Sequence, residues 1–163
     1  MSRSDDLVPP MSGGELALRL LGAFRYLVDE VHRELALEGH AEVRPVHGFA
    51  LQAIGPNGAT AGEVGARLGV SKQAAGKTID GLVALGYVER RTDSADARRK
   101  IVSLSTSGVA VLRLSGAAFQ RLRDERAERL GTVRMQQLED DLRLLTDPDD
   151  PVLDATGWWS ASR

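Results

Sequence analysis

The sequence predicts a mainly α-helical protein with one small β-hairpin, a winged helix-turn-helix domain flanked by N- and C-terminal dimerisation helices. Three observations carry this. Two short helices hinged by a glycine fit TAGEVGARLGVSKQAAGKTIDGLVALGYVERR, from Thr60 to Arg91. Two strand-like runs with a polar tip follow directly. Long apolar stripes at helical spacing lie on both sides, each longer than the small middle domain can cover.

Residues 1–11 are polar, include two prolines and are expected to be disordered. The region 12–44 holds the first dimerisation helix and a linker. Ser12 with Glu15 reads as a capping box, and Leu16, Leu20, Phe24, Leu27, Val31 and Leu35 then run at helical spacing to about Gly39. The DNA-binding domain is expected at 45–105. Pro45 suits the first turn of its first helix, whose apolar face is Val46, Phe49, Ala50, Ala53 and Ile54.

Thr60 with Glu63 makes a second capping box, Gly69 supplies the positive-φ turn, and Ser71 caps the next helix. Gly65 and Ala75 are small enough for the two backbones to approach closely. Ala75, Ile79, Leu82 and Gly86, with Val83 beside them, share the inward face of the second helix. Gln73, Lys77, Asp80 and Ala84 lie opposite, with Gly76 at the edge and Lys72 in the first turn. A face with an amide and a cation, and almost nothing bulky, suits a DNA major groove. A plain solvated face is the competing reading. Gly76 and Gly81 inside this helix should each cost on the order of 1 kcal/mol relative to Ala, so the helix is either soft or approached closely by a partner.

Tyr87–Arg91 and Lys100–Leu104 read as the two strands of a wing, with TDSADARR as the tip. Cation is concentrated here. The whole chain is formally −2, with 21 Lys/Arg against 23 Asp/Glu, yet Arg67 to Lys100 carries eight Lys/Arg against four Asp/Glu, a local +4 that leaves −6 elsewhere. An arginine at the wing tip can enter a narrow minor groove.

Region 106–146 holds the C-terminal dimerisation helices. Ser105 or Thr106 starts a helix through Val109, Leu112, Phe119, Leu122 and Leu130; Gly131 breaks it, and Thr132 is expected to cap the last one. Met135, Leu138, Leu142 and Leu145 form a narrow heptad-like seam there. Stripes left bare at both chain ends argue for a two-fold dimer through Leu16, Leu20, Leu27, Met135, Leu138, Leu142 and Leu145. The tail, 147–163, contains Trp158-Trp159, an exposed apolar liability unless it docks.

The run Asp80-Gly81-Leu82, Gly86 to Arg91, Asp93, Asp96-Ala97-Arg98, and Leu104-Ser105 to Gly108 resembles the MarR family of transcriptional regulators. Ser105 stands where that family usually has Thr. The resemblance spans roughly Leu16 to Leu145 and implies a triangular homodimer that binds a pseudo-palindromic double-stranded DNA operator, by family habit as a repressor. Gln73 and Lys77 would then contact base edges, Ser71 and Lys72 phosphates, and Arg98 the wing's groove, with Gly76, Arg91 and Arg99 beside them. It further implies that a small aromatic or anionic effector lowers DNA affinity from a cleft between the winged domain and the dimer helices, with Arg44, His47 and Phe49 as candidate liners. The alternative is a winged helix used for protein interaction without DNA.

Absence of cysteine rules out disulfides and thiolate metal sites within the chain. His32, His40 and His47 form no i, i+4 ligand pair, and no phosphate loop or nucleophile elbow occurs, so neither a metal, a cofactor nor an enzyme activity is expected. With no apolar run of membrane length and an acidic N-terminus unlike a signal peptide, a cytoplasmic protein is the expectation.

Overall fold

The computed structural model describes residues 10–92 and 99–146. The elements run α1 (Gly13–Leu37), α2 (Pro45–Ile54), α3 (Ala61–Leu68), α4 (Lys72–Ala84), β1 (Val88–Thr92), β2 (Lys100–Leu104), α5 (Thr106–Leu130) and α6 (Thr132–Leu145). The fold is mostly helical with one antiparallel hairpin, a winged helix-turn-helix between long flanking helices.

Side-chain caps set most helix starts. Ser12 accepts from the Glu15 N–H at 3.2 Å, Ser71 from the Ala74 N–H at 3.1 Å, and Ser105 from the Gly108 N–H at 3.1 Å. Thr60 and Glu63 complete the reciprocal box, with the Thr60 N–H donating to the Glu63 carboxylate at 2.6 Å. At α2 the cap is unusual: the Arg44 N–H donates to His47 Nδ1 at 3.2 Å. Thr132 does not cap α6. Gly131 sits at the junction with φ +87 and no side chain to offer, so Thr132 is simply the first helical residue.

One hydrophobic core joins the halves. Leu51, Ile54, Val64, Ile79, Leu82, Val111 and Leu112 are almost fully buried, and Val31 and Leu35 of α1 belong to the same cluster. The hairpin register sets Val88 opposite Leu104 and Arg90 opposite Val102. The first strand begins one residue later than the sequence suggests, because Tyr87 is still in the turn leaving α4, its N–H bonded to the Leu82 carbonyl. Ala59 adds a one-residue bridge to Val102 through paired backbone hydrogen bonds of 2.9 and 2.8 Å. This third sheet partner stitches the α2–α3 loop to the wing.

Close approach explains two glycines. A Cβ on Gly65 would lie 2.9 Å from the Val70 carbonyl oxygen, inside the turn where the Val70 N–H bonds back to Gly65. A Cβ on Gly108 would lie 2.1 Å from the Tyr87 oxygen, so α5 can start against the wing root only without a side chain there. Gly86, expected on the inward face of α4, instead lies past the helix end, exposed, with φ +78.

The flanks are bare. Leu16, Leu20, Leu21 and Phe24 of α1 are exposed, and Leu27 is half-buried against the core. Among the described residues α6 buries none of its own; Leu138 and Leu145 are exposed, and Met135 and Leu142 half-buried. No helix among the described residues is long and apolar enough to cross a membrane.

Candidate nucleic-acid interface

Helix α4 turns its inner face, Ala75, Ile79 and Leu82, into the core. That burial fixes which residues face out. Lys72, Gln73, Lys77, Asp80 and Ala84 are all exposed, and Gly76 is half-buried at the edge of their face. The face is nearly flat at its centre, since a Cβ built on Gly76 meets nothing within 4 Å. Ser71 spends its oxygen on the Ala74 N–H, but its hydroxyl proton remains able to donate. The first backbone N–H groups of this 13-residue helix point the same way, a favourable setting for an anion.

Several cations in the positive stretch are committed inside the protein. Arg67 donates to the Ala53 carbonyl and so ties α3 to the end of α2. Arg90 pairs with Asp80, joining β1 to the outer face of α4. Arg99 pairs with Glu63 at 2.7 Å, which pins the return of the wing to the start of α3. Lys100 Nζ donates to Thr92 Oγ1 at 3.0 Å across the hairpin. The Thr60 backbone N–H and hydroxyl hold the Glu63 carboxyl below its usual range, with Arg99 adding a smaller push. Arg91 is exposed on β1. Of the expected contact residues, Ser71, Lys72, Gln73, Gly76 and Lys77 therefore come together, Arg91 stands on the neighbouring strand, and Arg99 is held against α3. Arg98, with Asp93 and Asp96, lies outside the described residues.

The three helices expected to wall an effector cleft do enclose a cavity, but not with all the expected side chains. A cavity of about 40 Å³ lies between α1, α2 and α5, lined by Val28, Val31, His32, Leu35, Val43, Pro45, Gly48, Phe49, Gln52, Leu112, Ser115 and Phe119. Phe49 is in the wall as expected. Arg44 and His47 are not. Arg44 is an exposed N-cap residue, and His47 turns away to close the start of α2, its Nε2 3.8 Å from where a Gly81 Cβ would stand. Burial pushes the His47 ring below its ordinary pKa, and the Arg44 cation adds to that.

Sequence reasoning missed His32, which lines the cavity with a buried Nδ1 that has no hydrogen-bond partner among the described residues. No spacing rule could have flagged it, because its surroundings come from three helices. It also missed the link from His40 Nδ1 to the Tyr87 hydroxyl, 2.9 Å long, between the α1–α2 linker and the wing root. Among the described residues no cluster of three His, Cys, Asp or Glu could hold a metal ion.

Residues 43–99 match a family model described as the MarR family. Among solved structures, the reduced form of MarR from E. coli is 23% identical with a TM-score of 0.69, over 85% of this chain and 99% of that one. FabT of Streptococcus pneumoniae, solved in complex with DNA, is 18% identical with a TM-score of 0.69, over 82% and 94%. The YusO protein from Bacillus subtilis is 20% identical with a TM-score of 0.61, over 83% and 97%. At such identities these likenesses establish a shared fold. No curated protein sequence matches the chain.

Proposed function

From the match of residues 43–99 to the MarR family model, we propose that the protein is a sequence-specific double-stranded DNA-binding transcriptional regulator. It acts as a homodimer on a pseudo-palindromic operator, as a repressor, and is released by a small-molecule ligand. One observation carries the reading: the exposed face of α4 gathers Lys72, Gln73 and Lys77 around an unobstructed Gly76, beside a capped helix N-terminus. Gln73 is suited to bidentate pairing with adenine and Lys77 to guanine O6/N7, while Ser71 and Lys72 meet phosphate. That FabT, a protein of the same fold, is solved in complex with DNA supports DNA as the partner.

The dimer follows from the bare stripes. Leu16 and Leu20 of α1 and Leu138 and Leu145 of α6 are exposed in a single chain, and a two-fold partner covers both sets at once. Two recognition helices then enter successive major grooves about 34–36 Å apart. A ligand in the α1–α2–α5 cleft binds where the dimer helices meet the reading head. It lowers DNA affinity only in so far as it prefers a dimer with a different helix spacing.

Selection of bound duplexes from a random pool tests the reading. The expected outcome is one pseudo-palindromic sequence held at least about a thousandfold more tightly than random duplex. Equal binding to all duplexes, or none in dilute buffer, would leave a protein-interaction module as the better description.

A further inference from the structure

We propose that the hydrogen bond between His40 and Tyr87 is a strut that holds α4 at one angle to α1, and that it thereby sets the half-site spacing the dimer accepts. This rests on the dimeric DNA-binding role proposed above.

The strut closes a triangle of helices. One side ties α1 to α5, through the Glu34–Arg121 ion pair and the Arg126 guanidinium 5.0 Å from the Tyr26 ring centroid. A second side ties the start of α5 to the end of α4. The Ser105 N–H donates to the Tyr87 carbonyl at 3.0 Å and the Ser105 hydroxyl to the Gly86 carbonyl at 2.6 Å, while the Tyr87 N–H donates to the Leu82 carbonyl at 2.9 Å. Two ties meeting at α5 leave a hinge, about which α4 can rock against α1. The third side, 2.9 Å between the Tyr87 hydroxyl and His40 Nδ1, stops that motion.

Both ends of the strut are anchored. The His40 N–H donates to the Leu35 carbonyl at 2.8 Å and its carbonyl accepts from the Val43 N–H at 3.1 Å, which fixes it to the last turn of α1. Tyr87 is buried, its ring centroid 5.6 Å from that of the imidazole. Burial, with a smaller push from the Glu42 carboxylate, raises the Tyr87 hydroxyl above its ordinary pKa, so the phenol keeps its proton. Rocking α4 away from α1 would strip this buried hydroxyl of its partner, and that cost opposes the motion.

The lever is long enough to matter. Helix α4 has 13 residues and so spans about 20 Å. The strut grips its C-terminal end, while Gln73 lies in the first turn at the other. Rocking by about 10° moves Gln73 by about 3.4 Å, the rise of one base pair. With two-fold symmetry, about 5° in each protomer suffices. Angles this small are what a directional bond of fixed length controls.

The test has two arms. The chain has no cysteine, so Ala36→Cys with Ala74→Cys places one spin label on the exposed end of α1 and one on the exposed start of α4. Dilution into unlabelled protein isolates the distance within one protomer. The native chain is expected to give one narrow distance and Tyr87→Phe, which keeps the ring and loses the hydroxyl, a broadened distribution. An unchanged distribution overturns the strut. The second arm titrates the selected operator and versions with one base pair added or removed between half-sites. The native protein is expected to prefer the selected spacing at least about tenfold, and Tyr87→Phe less than about threefold. A margin intact in Tyr87→Phe, even with all duplexes weakened alike, overturns the role in spacing. If that variant does not fold, His40→Ala removes the other partner and carries both arms with the same expectations. Native protein that binds all duplexes equally, while the label distance still broadens in Tyr87→Phe, refutes the DNA-reading role alone and leaves the strut standing.

Discussion

Gly76→Ala should move stability and DNA affinity in opposite directions. Gly76 lies inside α4, is not among the glycines with positive φ, and has nothing within 4 Å of where its Cβ would be. An alanine there meets no obstacle in the folded protein and removes backbone freedom from the unfolded chain. The gain should be about 0.5–1 kcal/mol. For a chain of this size that is roughly 1–4 °C in the unfolding midpoint. On the proposed DNA surface the same methyl group stands between Gln73 and Lys77, where the helix backbone comes nearest the groove floor. Displacing the helix by even part of a methyl radius lengthens both contacts, and loss of one good pair corresponds to about 1–3 kcal/mol.

Gly81→Ala is the internal control. Its Cβ would meet His47 Nε2 at 3.8 Å, an ordinary contact, so the stability gain should be similar. Gly81 is one turn on and half-buried toward α2, so operator affinity should not change. Thermal unfolding at fixed protein concentration and a fluorescence titration on the selected operator read both quantities. A fall in stability for Gly76→Ala would refute the argument that the glycine is a cost tolerated for function. Unchanged operator affinity would show that α4 does not sit in the groove by this face.

Gln73→Ala should relax preference at one base position at a cost of about 1–3 kcal/mol; uniform weakening on all sequences in a competition assay would mean that Gln73 reads no base. Leu142→Arg should yield monomers with lost operator affinity, and an intact dimer in sedimentation would refute the α6 seam. Acid should destabilise the fold through His47, whose pKa is lowered by burial and by Arg44. An imidazole harder to protonate when folded means that the unfolded chain binds more protons, so stability falls as pH drops through about 6.5, the unfolded value. His47→Asn keeps an acceptor for the Arg44 N–H and should flatten unfolding free energies measured between pH 7.5 and 5.5; an unchanged slope would remove His47 as the cause.

Much of this fold was legible because its helix boundaries are written in local chemistry. Thr60 with Glu63, Ser71 and Ser105 each satisfy backbone donors within four residues, so sequence spacing sees them. The inward face of α4 was equally plain, since three of its residues repeat at helical spacing. Ala59 was invisible as a sheet partner: a single residue between Gly58 and Thr60 has no strand period, and its pairing with Val102 depends on the folded wing. Two of the three expected liners of the cleft fall outside it for the same kind of reason. Arg44 and His47 are close to it in sequence, but the α2 cap draws the His47 ring to its own backbone. His32 reaches the cavity from a different helix.

The local charge of +4 counts cations that the fold engages internally, which bears on how salt should act. Of the eight cations between Arg67 and Lys100, Arg67, Arg90 and Arg99 have acceptors in other elements and Lys100 donates to Thr92 across the hairpin. Arg67 ties α3 to α2, Arg90 ties β1 to α4, Arg99 ties the wing to α3, and Lys100 bridges the two strands. Lys72, Lys77 and Arg91 are exposed, and no ion pair engages them among the described residues. Two protomers then offer six phosphate-neutralising groups, for a slope of log affinity against log salt of roughly −5. Arg98 from each wing would steepen it to about −7. A measured slope near −14 would mean that the internal pairs open on DNA and that all eight cations reach phosphate. In that case the wing is released rather than braced, and Asp80→Asn, which removes the partner of Arg90, would leave affinity unaltered rather than change the wing's placement.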